Sequence, residues 1–432
     1  MKIRISNGYI ISADANDACY EGCVLIEDDA ILYAGPEALA PPFEADRIID
    51  AKGGIVSPGF VNTHSHIPMT LMRSFADDMP LMQWLKEKIW PAEEHLDEEA
   101  IYWGTMLGIA EMVAGGTTCF SDMYNFTDVI ARAANEAGIR ALVGTAVLDV
   151  DGGGDKRMKT AEALFEAVKD YPLVQAAIGP HAEYTVSPEL FKKVRDLALQ
   201  LGSRIHVHIS ETQGEHAECI QRHGKTPIAL LDSLGVFEAP VMAAHCVWIS
   251  DEDMEIMARS GVSAMSCPGS NLKLGSGIAR VSRMLQHGVT VSCATDGAAS
   301  NNNLSMMEEM TLLALLQKGT ERDPELIPAK AAVKIATFNG AKTLGLEHVT
   351  GSIEAGKQAD LVVLDTSGMR YCPKTSLLNH FVYSGSDADV VLTMVAGKVL
   401  YENGMITFAD PEEIKANAQR CARRLIGGAE GG

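Results

Sequence analysis

GIVSPGFVNTHSH (54–66) is apolar and β-branched for most of its length and ends on two histidines one residue apart. A near-continuous apolar run suits a strand buried on both faces, as in a parallel sheet covered by helices. The same form recurs along the chain in TTCFSDM (117–123), ALVGTAVLD (141–149), VQAAIGPH (174–181), RIHVHISE (204–211), VMAAHCVW (241–248), VSAMSCPGSN (262–271) and VTVSCATDG (289–297). Between them lie helical stretches such as AIYWGTMLGIAEMVAGG (100–116), DVIARAANEAG (128–138) and SPELFKKVRDLALQLG (187–202), which close on Gly as helix C-termini prefer. Eight strands alternating with helices over 56–345 predict an α/β fold, a (β/α)8 TIM-type barrel. An open doubly wound sheet is the other architecture that the count allows.

The two ends differ from this middle. CVLIEDDAILYAG (23–35), DLVVLD (360–365) and VVLTMVAGKVLYENG (390–404) read as short strands joined by tight turns. Residues 1–55 and 346–410 are therefore expected to form one small β-sandwich domain from both termini, followed by a helical tail over 411–432. The 432 residues suggest about three domains at roughly 150 residues each, but a barrel commonly takes 200–250 as one unit, so about two domains fit.

Composition excludes several functions. Lys and Arg number 36 against 57 Asp and Glu, a formal net charge of -21, and no basic patch is available to neutralise a polyphosphate, so nucleic acid is not an expected partner. The amino terminus MKIRISNGYIISADAND lacks the apolar core of a signal peptide, and no apolar run approaches the roughly 18 residues of a spanning helix. A membrane is thus not expected as a partner either. Nine cysteines, odd in number and mostly within apolar runs, read as free buried thiols and point to a reducing cytoplasm. Apolar surface on the barrel helices makes a homo-oligomer, dimer or tetramer, the expected assembly.

Several strand-like runs end in an ionisable residue: His64 and His66, Asp122, His181, His208 with Glu211, His245, and Asp296. In a barrel these ends converge on the C-terminal face, where active sites of this architecture lie. The imidazoles of His64 and His66 project to one side of their strand, about 7 Å apart along the chain, and can grip one ion. The pair His206 and His208 shares that geometry. His208, nearer the strand end and three residues before Glu211, reads as the ligand, and His206 as a satisfied interior histidine. With Asp296 these give three neutral imidazoles and one carboxylate, a donor set for Zn²⁺ or Fe²⁺ with a position left open for water. Glu211, just past the strand, is placed to reach a substrate above the metal.

Other patterns are weaker. GSIEAGKQ (351–358) imitates a phosphate loop but has Gln358 where Ser or Thr must hold Mg²⁺, and it precedes a strand. His181-Ala-Glu183 and His216-Ala-Glu218 imitate the H-x-E of small nucleobase deaminases, yet no P-C-x-x-C follows. The methionine-rich IPMTLMRSFADDMPLMQW (67–84) reads as either helix core or an apolar lid over the site.

PGFVNTHSH, HVHISE, AAHC around His245, ATDG around Asp296 and GSIEAGKQADLVVLD together resemble the metal-dependent amidohydrolase superfamily along nearly the whole chain. The resemblance implies a barrel combined with a β-sandwich. VQAAIGPH lacks the lysine that bridges two metals in one branch, which implies a one-metal site. SHIPMTLMRSFADDMPLMQWLKEKIWPAEEHL (65–96) resembles the 5′-methylthioadenosine/S-adenosylhomocysteine deaminase family, which includes 5′-deoxyadenosine deaminases.

That likeness implies His64, His66, His208 and Asp296 as ligands of one divalent metal, Zn²⁺ first, with Fe²⁺ and Mn²⁺ also accepted by such donors. It implies Glu93 at the ribose hydroxyls and His181 at the purine or its sugar. Glu211, His245 and Asp296 would be catalytic, with Glu211 and Asp296 also contacting the substrate. The expected reaction is hydrolytic deamination of the adenine C6 amine of free 5′-modified adenosines. These are 5′-deoxyadenosine, 5′-methylthioadenosine and S-adenosylhomocysteine, with adenosine as a further candidate, giving the inosine counterpart and ammonia. Arg157 matches one arginine expected to hold the homocysteine carboxylate, but Thr145 stands where a second is expected. Alternatives are guanine or other heterocycle deamination, triazine hydrolysis, and, more remotely, a metal-free scaffold relative. All four ligand positions and Glu211 being present argues against the last.

Overall fold

The computed structural model describes residues 1–431. In chain order the terminal strands are β1 (Lys2–Ile11), β2 (Cys19–Glu27), β3 (Ala30–Gly35), β4 (Arg47–Asp50) and β5 (Ile55–Pro58). The barrel strands follow: β6 (Phe60–Ser65), β7 (Thr117–Tyr124), β8 (Arg140–Val147), β9 (Val174–Pro180), β10 (Ile205–Ile209), β11 (Val241–His245), β12 (Ser263–Ser266) and β13 (Val291–Cys293). The chain returns to the first sheet with β14 (Leu361–Leu364), β15 (Val390–Val395), β16 (Lys398–Glu402) and β17 (Met405–Ile406).

The eight middle strands are parallel and neighbour one another in chain order from β6 to β13. Every residue of β6, β7 and β10 to β13 is buried, which is why their sequences run apolar instead of alternating. The seam between β13 and β6 is closed by polar groups. The Thr63 hydroxyl lies 2.9 Å from that of Ser292 and donates to the Cys293 carbonyl at 3.0 Å. Asn62 exchanges two bonds with Thr295, and the Asp296 N–H donates to the His64 carbonyl at 3.0 Å. Closure therefore brings the end of the last strand directly against the two histidines of the first.

Helix boundaries follow local chemistry. Pro188–Leu201 starts on the Ser187 hydroxyl, with Pro at its first position, and stops at left-handed Gly202. Gln213–His223 and Asp251–Ser260 open with capping boxes at Thr212/Glu215 and Ser250/Asp253.

The run 54–66, read from sequence as one strand, is two. Its first part, β5, pairs with β1 and β14 in the terminal sheet, and its second, β6, opens the barrel. Gly59 marks the crossing: a Cβ there would lie 2.1 Å from the Thr118 Cγ2, so only glycine lets the backbone pass. The terminal strands form one sheet ordered β17-β16-β15-β14-β5-β1-β2-β3, with β4 beside β1. It curls over a core that gathers Ile31 of β3 with Leu392 and Met394 of β15, giving the β-sandwich layer from both chain ends. GSIEAGKQ is a turn leading to β14. Lys357 is held there by Ser352 and Glu354 and lies 5.1 Å from the centroid of the Phe338 ring, so it is not a phosphate ligand.

A buried ion pair joins the two units. Arg140, at the start of β8, donates to both Asp360 oxygens at 2.9 and 3.1 Å, and Asp360 also accepts the Ala396 N–H at 2.7 Å. The Arg140 side chain is 6% exposed and that of Asp360 0%. Removing one partner strands the other charge away from water, so Asp360→Ala is expected to lower unfolding stability by about 3–5 kcal/mol. Denaturant titration checks this; a loss under about 1 kcal/mol would show that the pair is dispensable.

The helix Pro411–Gly431 packs Ile414, Ala418, Cys421 and Leu425 inward, and Arg420 and Arg424 pair with Glu99 and Asp97. Gly432, the last residue of the expected tail, lies outside the described residues.

Candidate active site and metal centre

The mouth of the barrel gathers the residues that its strand ends present. The last residue of β11 and the turns after β10 and β13 are left-handed, His245 at φ +69°, Ser210 at φ +50° and Asp296 at φ +63°. Such backbone strain at non-glycine positions clusters at functional sites, because the surrounding packing must impose it.

His64, His66 and His208 direct one ring nitrogen each toward a common point, with donor atoms within 4.8 Å of one another. Their other nitrogens are engaged. His66 Nδ1–H donates to the Met123 carbonyl at 2.6 Å, and His208 Nδ1–H to the His181 carbonyl at 2.7 Å. His64 Nδ1 lies 2.7 Å from His206 Nε2, and His206 reaches the Ser121 hydroxyl at 3.3 Å. His206 is thus the interior histidine expected, and it sets the tautomer of His64. Asp296 Oδ1 lies 3.3 Å from His64 Nε2 and 3.4 Å from His66 Nε2.

This donor set fits a divalent cation. His64 Nε2 is buried without a hydrogen-bond partner, an orphaned lone pair aimed at the common point. Burial pushes His64 down to about 4, and His208 well below the usual imidazole range, so both are neutral donors at physiological pH. Burial would raise Asp296, yet it stays well below the usual carboxylate range and ionised, with Oδ2 accepting two hydroxyls and Oδ1 the Gly297 N–H. A second cluster, His64, His245 and Cys267, also has ligand-like spacing and shares His64 with the first; burial raises the Cys267 thiol.

Around this centre lie the expected reacting groups. Glu211 is buried, accepts from the Ser276 hydroxyl at 3.3 Å and stands 3.8 Å from His245 Nε2; burial raises its pKa against the pull of His245. His245 is held through Nδ1 by Asn271 Oδ1 at 2.9 Å. Burial would lower it, but Glu211 and Asp296 raise it overall. Asp296 Oδ2 accepts from Ser270 at 2.6 Å and Ser300 at 2.7 Å.

A cavity of about 550 Å³ opens above these groups. Glu93, at the end of the helix Trp90–Glu93, is half-buried on its wall and accepts the Tyr124 hydroxyl at 2.6 Å; burial raises its pKa. His181 also lines it, tied to Thr185 Oγ1 at 2.9 Å. The methionine-rich run is mixed: Ile67–Met72 is buried, and Met69, Leu81 and Trp84 line the cavity.

Two strand-end residues behave otherwise. Asp122 is not brought into the centre. Its Oδ1 accepts from the Ile67 N–H at 2.5 Å and from Ser65 at 3.1 Å, so it anchors the turn after β6, and burial raises it to about 6. Thr145 is buried against Thr127 at 2.8 Å and does not line the cavity, while Arg157 does. Sequence reasoning did not single out Tyr124, Asn271, Ser270 or Ser300, which are polar groups on loops or strands with no spacing to mark them. Glu215 had a signal, the T-x-x-E capping box. Its carboxylate also accepts the Ser210 and Glu211 N–H groups at 2.9 and 2.8 Å, fixing the backbone that carries Glu211.

A model of the amidohydrolase family matches residues 55–400. A curated relative from Pelotomaculum thermopropionicum, named 5-methylthioadenosine/S-adenosylhomocysteine deaminase, is 43% identical over 98% of this chain and 99% of its own. One of the same name from Moorella thermoacetica is 43% identical over 93% of this chain and 94% of its own. Among solved structures, a zinc-bound adenosine deaminase from Xanthomonas campestris superposes with a TM-score of 0.95 at 36% identity, covering 98% of each chain. The zinc-complexed atrazine chlorohydrolase TrzN of Arthrobacter aurescens superposes with a TM-score of 0.89 at 25% identity, over 97% of this chain and 100% of its own.

Proposed function

The chain belongs to the amidohydrolase family, and from that premise we propose that it is a zinc-dependent deaminase of 5′-modified adenosines, converting the adenine ring to hypoxanthine with release of ammonia. The observation that carries this reading is a buried Glu211 set 3.8 Å from His245 beside the imidazole cluster, both lining a cavity of about 550 Å³, with burial raising the Glu211 pKa.

His64, His66, His208 and Asp296 would hold the ion. A divalent ion in that position supplies Lewis acidity, which brings the ionisation of water from its bulk value toward neutrality. The protein's own groups manage the protons. Asp296, ionised and facing His64 and His66, would accept one proton of the attacking water as the C6–O bond forms. Glu211 donates its proton to N1, so the electron pair displaced into the ring arrives on a protonated nitrogen. His245, oriented by Asn271 and with a raised pKa, presents Nε2 to the oxygen at C6 and stabilises charge there. When the C6–N6 bond breaks, the proton on Asp296 leaves with the amine as ammonia. The remaining hydroxyl proton, passed on as the carbonyl forms, restores the Glu211 acid.

Glu93 belongs to binding. Its carboxylate keeps a free oxygen while Tyr124 occupies the other, and that oxygen accepts from the ribose hydroxyls. The reading is tested by a substrate panel of 5′-deoxyadenosine, 5′-methylthioadenosine, S-adenosylhomocysteine, adenosine, free adenine, guanine and a chlorotriazine, each followed by its own absorbance change. Adenine nucleosides are expected to turn over fastest. Preference for guanine or the triazine would move the enzyme to another branch of the family. In the same assay Glu93→Ala is expected to raise KM for nucleosides about tenfold or more while changing it little for free adenine, since one charge-assisted hydrogen bond is lost. Equal effects on both would remove the ribose role.

A cytoplasmic location belongs to the same reading and is supported by nine unpaired cysteines. Among the described residues no helix is long and apolar enough to cross a membrane. A homo-oligomer also belongs to it, supported by apolar side chains left outward on barrel helices, such as Leu199 and Leu315 at 47% and 49% exposure.

A further inference from the structure

With the adenine amine at the histidine cluster and the ribose at Glu93, the segment after β8 is a polar part of the cavity wall without an assigned role. Its loop contributes Leu148, Val150 and Asp151, and the first turn of the helix that follows contributes Arg157; the 5′ substituent is the part of the nucleoside left to meet them. Arg157 is the sole Lys or Arg among the described residues lining the cavity, which also carries Glu93, Glu94, Asp151, Glu211 and Asp296. Three of its five guanidinium N–H groups are already committed. Both terminal nitrogens donate to the two Asp151 oxygens at 2.7 Å, and one also donates to the Leu148 carbonyl at 3.1 Å. Asp151 is itself held in place by the Gly153 N–H at 2.9 Å, at the start of the helix Gly154–Ala167.

We infer that Asp151 is a specificity-determining residue that occupies the Arg157 fork with a carboxylate of the protein's own and so favours substrates whose 5′ substituent is neutral over those that carry a carboxylate. This inference rests on the nucleoside deaminase reading. To take that fork an incoming carboxylate must displace a chemically equivalent group, gaining no new kind of bond, and it leaves the Asp151 anion beside it in a wall already rich in carboxylates. A methyl, methylthio or similar tail pays neither cost and packs against Leu148 and Val150. Thr145, buried and bonded to Thr127, offers the tail no second cation.

The test compares kcat/KM for 5′-methylthioadenosine, for S-adenosylhomocysteine and for its analogue lacking the α-amino group, using the metal-loaded enzyme. Because the readout is a ratio between substrates, a general loss of activity cancels. Asp151→Asn is expected to raise the efficiency of both carboxylate-bearing substrates relative to 5′-methylthioadenosine by about tenfold, mainly through KM, the effect of freeing one half-exposed charged partner. Adding Arg157→Gln to that variant is expected to return the ratio to its starting value. An unmoved ratio overturns the proposal. So does a fall for S-adenosylhomocysteine without a fall for the deamino analogue, because Asp151 would then be binding the substrate ammonium. If the unaltered enzyme fails to turn over even 5′-methylthioadenosine, the deaminase reading falls first and the proposal falls with it.

Discussion

Glu211→Gln is expected to lower kcat for 5′-methylthioadenosine by about 10³-fold or more while the purified protein keeps its full complement of metal. The size follows from the role. Positioned proton transfer contributes about 10²–10⁴-fold, and adding water to an aromatic ring without protonating N1 leaves negative charge on the base. Gln preserves shape and can still accept from Ser276, but it has no transferable proton. The fold around it should hold, because Glu215 bonds the Ser210 and Glu211 N–H groups and not the side chain that is replaced. The pH profile adds a second measurement. Burial raises the Glu211 pKa, so its acid form persists to higher pH than an exposed carboxyl would, and turnover falls as pH rises through that value. The residual rate of the Gln variant should lack that fall. Metal-replete Gln protein with near-normal turnover would place the general acid elsewhere.

How much of this site the sequence disclosed depended on whether a residue's role is set by strand period or by tertiary contact. His64, His66 and His208 are legible because a strand's two-residue period puts H-x-H on one side, and a barrel brings strand ends together. His206 separates from His208 by depth alone, and the structure gives the inner one to His64. Asp122 shows the limit of that logic: it ends a strand as the others do, yet its carboxylate is spent on the Ile67 N–H, a contact fixed by the turn after β6. Glu93 carries no local signal, since a carboxylate near a helix start is ordinarily exposed. Its place on the wall depends on Tyr124, some thirty residues away, and only resemblance to a family pointed to it. The split of 54–66 into β5 and β6 was hidden because both halves are apolar; Pro58-Gly59 was the mark of it, legible once Gly59 is seen passing Thr118.

Asp296→Asn combines two losses and is expected to be at least as severe. Its Oδ1 faces His64 and His66, and its Oδ2 accepts the Ser270 and Ser300 hydroxyls. Both hydroxyls can rotate to accept from an amide, and an amide oxygen can still take the Gly297 N–H that Oδ1 now accepts at 2.7 Å, so the loop after β13 keeps its conformation. The amide lacks the negative charge that makes Asp296 a strong donor beside three imidazoles, so chelator competition should strip metal from the variant more readily. It also cannot accept a proton from water. Supplying excess zinc separates the two effects: occupancy should recover while kcat stays about 10³-fold down or lower, because filling the site does not restore the base. If zinc-saturated Asp296→Asn regains near-normal turnover, Asp296 serves only to hold the ion, and the proton must leave by another group. Of the two carboxyl groups, only Glu211 is expected to tolerate its amide replacement without weakening the ion, and that contrast in metal retention distinguishes the acid from the base.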